Sequence, residues 1–134
     1  MNPASLAECE AALAALRASF NAGKTKSYAS RMSNLRAVKR FLKENEDSIV
    51  EALKKDLHRD KFDAVGLELI PLYSEVDFIL KHLKGWMEVK YPPLPSLMQP
   101  ATSECISEPY GVALIISAFN YPVDLAVRRI HCII

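Results

Sequence analysis

Cysteine, tryptophan and glycine are scarce in this chain, with three, one and four residues among 134. The cysteines (Cys9, Cys105 and Cys132) are odd in number and widely spaced. A disulfide framework or a zinc site needs an even set or a close pair, so reduced thiols in an intracellular, cytoplasmic protein are the expectation. His58, His82 and His131 show no ligand spacing either, and no metal is expected. No charge of one sign dominates: 17 basic residues against 16 acidic ones leave a net +1. That balance offers nothing to attract nucleic acid or an anionic membrane surface. No apolar run approaches the length of a membrane span. The first residues include Glu8, Glu10 and Arg17, unlike the basic start and unbroken apolar core of a signal peptide.

What the chain has instead is helical periodicity. Half of its residues are hydrophobic. Ser5 and Glu8 form a capping box ahead of Leu6, Cys9, Leu13, Leu16 and Phe20, and Gly23 is suited to end that helix in a left-handed turn. A second helix is predicted over 27–44. Its apolar face is Tyr28, Met32, Leu35, Val38, Phe41 and Leu42; Arg31, Arg36, Lys39, Arg40 and Lys43 form a solvated basic face. Asn45 is placed to cap a third helix with Ile49, Leu53 and Leu57 as its stripe, ending near His58. A fourth helical region spans about 60–87, with Val65, Leu69, Leu72, Val76, Ile79, Leu80, Leu83 and Trp86 on its buried side. Pro71 removes one ladder amide, so a kink or break is expected there.

The character then changes. Tyr91, Pro92, Pro93, Leu94 and Pro95 must be extended, as a connection or as a proline-rich ligand. Beyond it, residues 102–107 alternate loosely, and Glu108, Pro109, Tyr110 and Gly111 have turn chemistry. Val112, Ala113, Leu114, Ile115 and Ile116 make an apolar run of strand length, the pattern of a strand covered on both faces. Pro122 is suited to the first turn of a following helix. Strand, loop and helix in that order open a βαβ unit, so the expected fold class is α/β.

Ser107-Glu108-Pro109-Tyr110-Gly111-Val112, followed by Phe119-Asn120-Tyr121-Pro122, resembles the aldehyde dehydrogenase superfamily. Arg17-Ala18-Ser19-Phe20 with Gly23-Lys24-Thr25, and Asp56-Leu57-His58-Arg59, are similar to its class 3 branch, which includes fatty aldehyde dehydrogenases. The resemblance runs over nearly all of the chain to Leu125. It implies N-terminal helices, a β-hairpin and the first strand-loop-helix of a Rossmann-like domain, incomplete here. The implied division is a helical region at 1–90, a proline-rich connection at 91–100, and the hairpin with the start of an NAD(P)-binding domain at 101–134.

The resemblance also implies chemistry. Such enzymes oxidise aldehydes to carboxylic acids with NAD or NADP through a cysteine thiohemiacetal. Ser117, Ala118, Phe119 and Asn120 are the implied cofactor-binding residues, and Asn120 matches the oxyanion asparagine. When a thiolate attacks the aldehyde, the carbonyl oxygen becomes negative, and a neutral amide donor that does not titrate stabilises it. Spacing alone favours an asparagine that caps the helix at Pro122; the resemblance is what favours the oxyanion role. The general-base glutamate and the nucleophilic cysteine are expected beyond Ile134, so the chain by itself is expected to be inactive. Cys9, Cys105 and Cys132 are expected to be small buried or incidental thiols.

Phe119 stands where many relatives have tryptophan. After Leu125 the agreement fails: Arg128, Arg129 and His131 put cations into a helix expected to pack on a sheet. An alternative exon, a frameshifted tail and a degenerate copy are all open as its origin. Aldehyde substrates and a homo-oligomeric full-length form follow from the resemblance; a class 3 membrane anchor, where present, would lie outside this segment. The alternative function is a non-catalytic short form that docks on a full-length subunit or another partner and modulates it.

Overall fold

Ser5 opens the first helix as its spacing predicts. In the computed structural model, which describes residues 5–130, the Ser5 backbone N–H donates to Glu8 Oε2 at 2.7 Å and the Glu8 N–H donates to Ser5 Oγ at 3.3 Å. These bonds start α1 (Leu6–Asn21) and hold the Glu8 carboxyl below its usual range. Gly23, at φ 72°, ends it: its N–H donates to the Phe20 carbonyl and that of Lys24 to the Ser19 carbonyl, satisfying two otherwise unpaired groups. Yet α1 has no buried residue, and Leu6 and Leu16 are 76% and 56% exposed. Its apolar stripe is not core.

The core lies among the next helices. Ser27 caps α2 (Tyr28–Glu44) by accepting from the Ser30 N–H at 3.1 Å. Asn45 does not cap α3 (Glu46–Leu57); its side chain donates back to the Phe41 carbonyl at 2.9 Å and closes α2. The Tyr73 hydroxyl donates to Glu46 Oε2 at 2.7 Å, fastening the first turn of α3. His58, in left-handed conformation at φ 55°, ends α3. Asp60 then caps α4 (Lys61–Ala64), which runs through a π-helical turn (Val65–Leu69) into α5 (Ile70–Trp86). The interruption predicted at Pro71 takes this form. Proline has no N–H for the α-ladder and crowds the carbonyl four residues back, and the wider turn just before it accommodates both effects.

Leu42, Val50, Leu53, Ala64, Leu69 and Leu72 form one buried cluster, and Leu35, Ile79 and Leu83 a second. Leu42 meets the start of α5 and Leu35 its later half, so α2 and α5 run antiparallel. Each fully buried leucine contributes about 1.5–3 kcal/mol. Phe41 and Trp86, expected on these faces, are 57% and 44% exposed. Trp86 instead stacks on His82, which also faces Phe78.

The expected α/β fold is not what the chain adopts. Among the described residues there is no strand and no sheet, so neither the β-hairpin nor the first strand of a Rossmann-like domain forms. The one pairing is an isolated antiparallel bridge between Lys90 and Cys105. Residues 112–116 have strand composition, but a strand exists only through ladder bonds to a neighbour, and no described segment supplies them. Leu114 and Ile116 are 85% and 86% exposed, contrary to a strand covered on both faces. After a short 3₁₀ turn (Ser96–Met98), the chain runs irregularly to α6 (Pro122–Ile130), which packs on α5 and the π-helical turn. Among the described residues no helix is long and apolar enough to cross a membrane.

Candidate functional site

The loop preceding α6 is anchored by a residue far away in sequence. Glu68, on the π-helical turn, is fully buried although charged. Its Oε2 accepts the backbone N–H groups of Val123 and Asp124 at 2.9 and 3.1 Å, the second and third residues of α6. Those amides normally belong to the side chain of a helix's own capping residue. Here that residue is Tyr121, whose carbonyl accepts the Leu125 N–H to start the ladder and whose side chain cannot cap. A carboxylate from 55 positions earlier in the chain takes over, with the added attraction of the helix dipole.

Glu68 is itself paired. Arg59 Nη1 donates to Glu68 Oε1 at 2.6 Å. Arg59 Nη2 donates to the Asn120 carbonyl, and the guanidinium lies over the Tyr121 ring at 4.4 Å from its centroid. One planar fork therefore contacts Glu68, Asn120 and Tyr121 together.

Asn120 is exposed, and its side chain makes no hydrogen bond among the described residues. The cap expected of it on spacing grounds is filled by Glu68. Ser117 is half-buried and donates through Oγ to the Pro122 carbonyl at 3.2 Å, bracing the loop. Ala118 and Phe119 are exposed, the Phe119 ring by 84%. A cleft of about 400 Å³ opens between α3 and this loop, with Ile49, Leu53, Leu57, Phe119 and Pro122 in its wall. Of the four residues expected at a cofactor site, Phe119 lines this apolar cleft, and Ser117, Ala118 and Asn120 adjoin it in the chain.

Neither described cysteine takes part. Cys9 and Cys105 are exposed free thiols, not buried ones. Cys132 and His131 lie outside the described residues. Among those described, no group of three His, Cys, Asp or Glu side chains is arranged to hold a metal. The tail cations are accommodated: Arg128 pairs with Asp124 at 2.8 Å and with Glu75 of α5 at 3.2 Å, while Arg129 faces solvent. A helix with Arg128 in it suits the acidic side chain of a neighbouring helix.

In the sequence Arg59 stands out only as part of the Asp56-Leu57-His58-Arg59 motif, and Glu68 not at all as a site residue. A signal existed for Glu68, which falls at helical spacing from Val65 and Leu72 and so inside the predicted buried stripe. A charge there needs a partner.

The profile described as the aldehyde dehydrogenase family matches residues 1–134, and the chain belongs to that family. Its relatives place it in the class 3 branch. It is 39% identical over 111 residues to aldehyde dehydrogenase family 3 comG of Dictyostelium discoideum, covering 83% of this chain and 24% of that protein. It is 40% identical over 119 residues to family 3 member B2 of Mus musculus, covering 88% of this chain and 25% of that protein. A solved substrate-bound AldH of Staphylococcus aureus superposes with a TM-score of 0.89 at 31% identity, over 98% of this chain and 28% of the other. The chain thus spans about a quarter of the length of these relatives.

Proposed function

We propose that this chain is the N-terminal segment of an NAD(P)-dependent aldehyde dehydrogenase, and that Asn120 is the donor that stabilises the oxyanion formed as a cysteine thiolate attacks the aldehyde. One observation carries this reading: Asn120 has an exposed, uncommitted side chain on a braced loop, standing one residue before the capping position Tyr121, while Glu68 takes the first amides of α6. A fixed neutral donor needs no reorganisation when charge develops, which is what makes such groups effective.

The Ser117, Ala118 and Phe119 segment forms one wall of the cofactor site. The fit is physical: Phe119 presents an open ring face to a flat ring, and the exposed loop leaves peptide groups accessible beside it. Bound NAD or NADP supplies the acceptor for the aldehyde hydride; one relative, from Canis lupus familiaris, is named dimeric and NADP-preferring. The longer protein is read as a homo-oligomer on the same ground. The nucleophile and the base are assigned, on the family resemblance, to sequence outside these residues, and neither exposed thiol, Cys9 nor Cys105, is read as the nucleophile.

The test has two arms. The 134-residue chain, assayed with a medium-chain and an aromatic aldehyde under both cofactors, should show no turnover. In the longer enzyme carrying this segment, Asn120→Ala should lower kcat about a hundredfold to a thousandfold with little change in cofactor affinity. Unchanged kcat would remove Asn120 from the chemistry.

A second reading is favoured by the exposed apolar side chains of Leu114, Ile116 and Phe119. In it the short chain is non-catalytic and docks through residues 112–119 on a full-length subunit. Co-purification with that subunit, lost on Ile116→Lys, would support it.

A further inference from the structure

Two residues that belong to neither the expected cofactor wall nor the reacting groups hold the loop bearing Asn120. We propose that Glu68 and Arg59 are positioning residues, which lock the Asn120 peptide and the first turn of α6 into one unit so that the backbone from which the Asn120 amide projects is held in a single conformation. The proposal rests on reading Asn120 as the oxyanion donor.

The geometry divides the work between the two side chains. Glu68 Oε2 takes the Val123 and Asp124 amides, fixing where α6 begins. Glu68 Oε1 takes Arg59 Nη1, which orients the guanidinium. The second nitrogen of that guanidinium holds the Asn120 carbonyl, and its face packs on Tyr121. Asn120 is therefore restrained at its own carbonyl and at the ring that follows, while its side chain is left unused. Glu68 stands next to Leu69 and one turn from Leu72, both fully buried, so the loop is tied to the buried core. An amide that stabilises developing charge must be held to within about half an ångström by groups that are themselves locked. A lysine at position 59 keeps the charge but has no fork with which to span Glu68 and Asn120 at once.

The experiment uses the ¹⁵N-labelled 134-residue chain and reads two signals: amide exchange at Val123 and Asp124, and the backbone amide resonances of Asn120 and Tyr121. Glu68→Gln should speed exchange at both helix amides about tenfold to a hundredfold, the loss of a charge-assisted bond, and should move the Asn120 and Tyr121 resonances. Arg59→Lys should leave the two helix amides protected and still move the Asn120 and Tyr121 resonances, because only the tether to the Asn120 carbonyl is lost. If Glu68→Gln unfolds the chain, Arg59→Lys carries the test alone. Lost amide protection with unmoved Asn120 signals would reduce Glu68 to a helix cap and overturn the proposal. Unmoved Asn120 signals in Arg59→Lys would overturn it as well. Neither readout depends on turnover, so a failure of the oxyanion reading shows separately, in the kcat of Asn120→Ala.

Discussion

Replacing Asn120 with alanine should cost almost no stability, and this separates a capping asparagine from a free one. If its side chain capped α6, the change would cost about 1 kcal/mol, within a range of about 0.5–2. Both amides that a cap would serve are bonded to Glu68 instead, and Asn120 is exposed. The expected cost is that of a surface change, within about 0.5 kcal/mol. Glu68→Ala is the counterpart. It strands two helix-terminal amides and an Arg59 side chain that is only 16% exposed. Breaking a buried pair by removing one partner costs about 3–5 kcal/mol, a large share of the roughly 5–15 kcal/mol that holds a domain together. Urea unfolding followed by helical circular dichroism reads both. With a slope of about 1–3 kcal/mol per molar, Glu68→Ala moves the midpoint by at least about 1 M, and Asn120→Ala by at most about half of that. An Asn120→Ala penalty near 1 kcal/mol, with a mild Glu68→Ala, would refute the assignment of the cap and with it the main support for the oxyanion reading.

The helices were legible in the sequence because their causes are local. Ser5 with Glu8, Ser27 before an amphipathic run, and Gly23 after one each act within four residues, and the structure has them all. Asn45 marks the limit of local reading. It stands between two helices, suits the start of one and the end of the other, and only the distance to the Phe41 carbonyl decides. Apolar periodicity found the faces of α2, α3 and α5 but could not tell core from surface on α1, whose stripe contributes no buried residue. The strand expected at 112–116 failed for a deeper reason: composition reports what a segment is suited to, whereas a sheet is a property of several segments. At the site, the Asn-Tyr-Pro loop was visible as a motif, but its support joins Arg59 and Glu68 to residues 120–124. No spacing rule reaches across that interval.

Three further outcomes are expected. Burial, then the bond to Glu46, pushes the Tyr73 hydroxyl from 10 up to about 12, so its stabilisation is intact below pH 10 and lost as pH rises towards 12. Ultraviolet titration should show one late tyrosine that disappears in Tyr73→Phe; five tyrosines titrating together would contradict this. Leu72→Ala, at a fully buried site, should cost about 2–5 kcal/mol, while Leu16→Ala, 56% exposed on α1, should cost well under 1. Equal urea midpoints for the two would mean that α1 belongs to the core. The last outcome concerns association. Tyr110, Leu114, Ile116 and Phe119 are 99%, 85%, 86% and 84% exposed within ten residues of chain, and their backbone is not paired in a ladder. Apolar side chains concentrated in this way mark an interaction surface or an aggregation site. At micromolar concentration the chain should therefore elute as a mixture of oligomers. Leu114→Lys with Ile116→Lys should restore a monomer without moving the urea midpoint, since neither side chain contributes to the buried clusters. If the wild-type chain runs as a single monomeric species, those side chains are covered by some other part of this chain, and the exposed segment described for the fold is wrong.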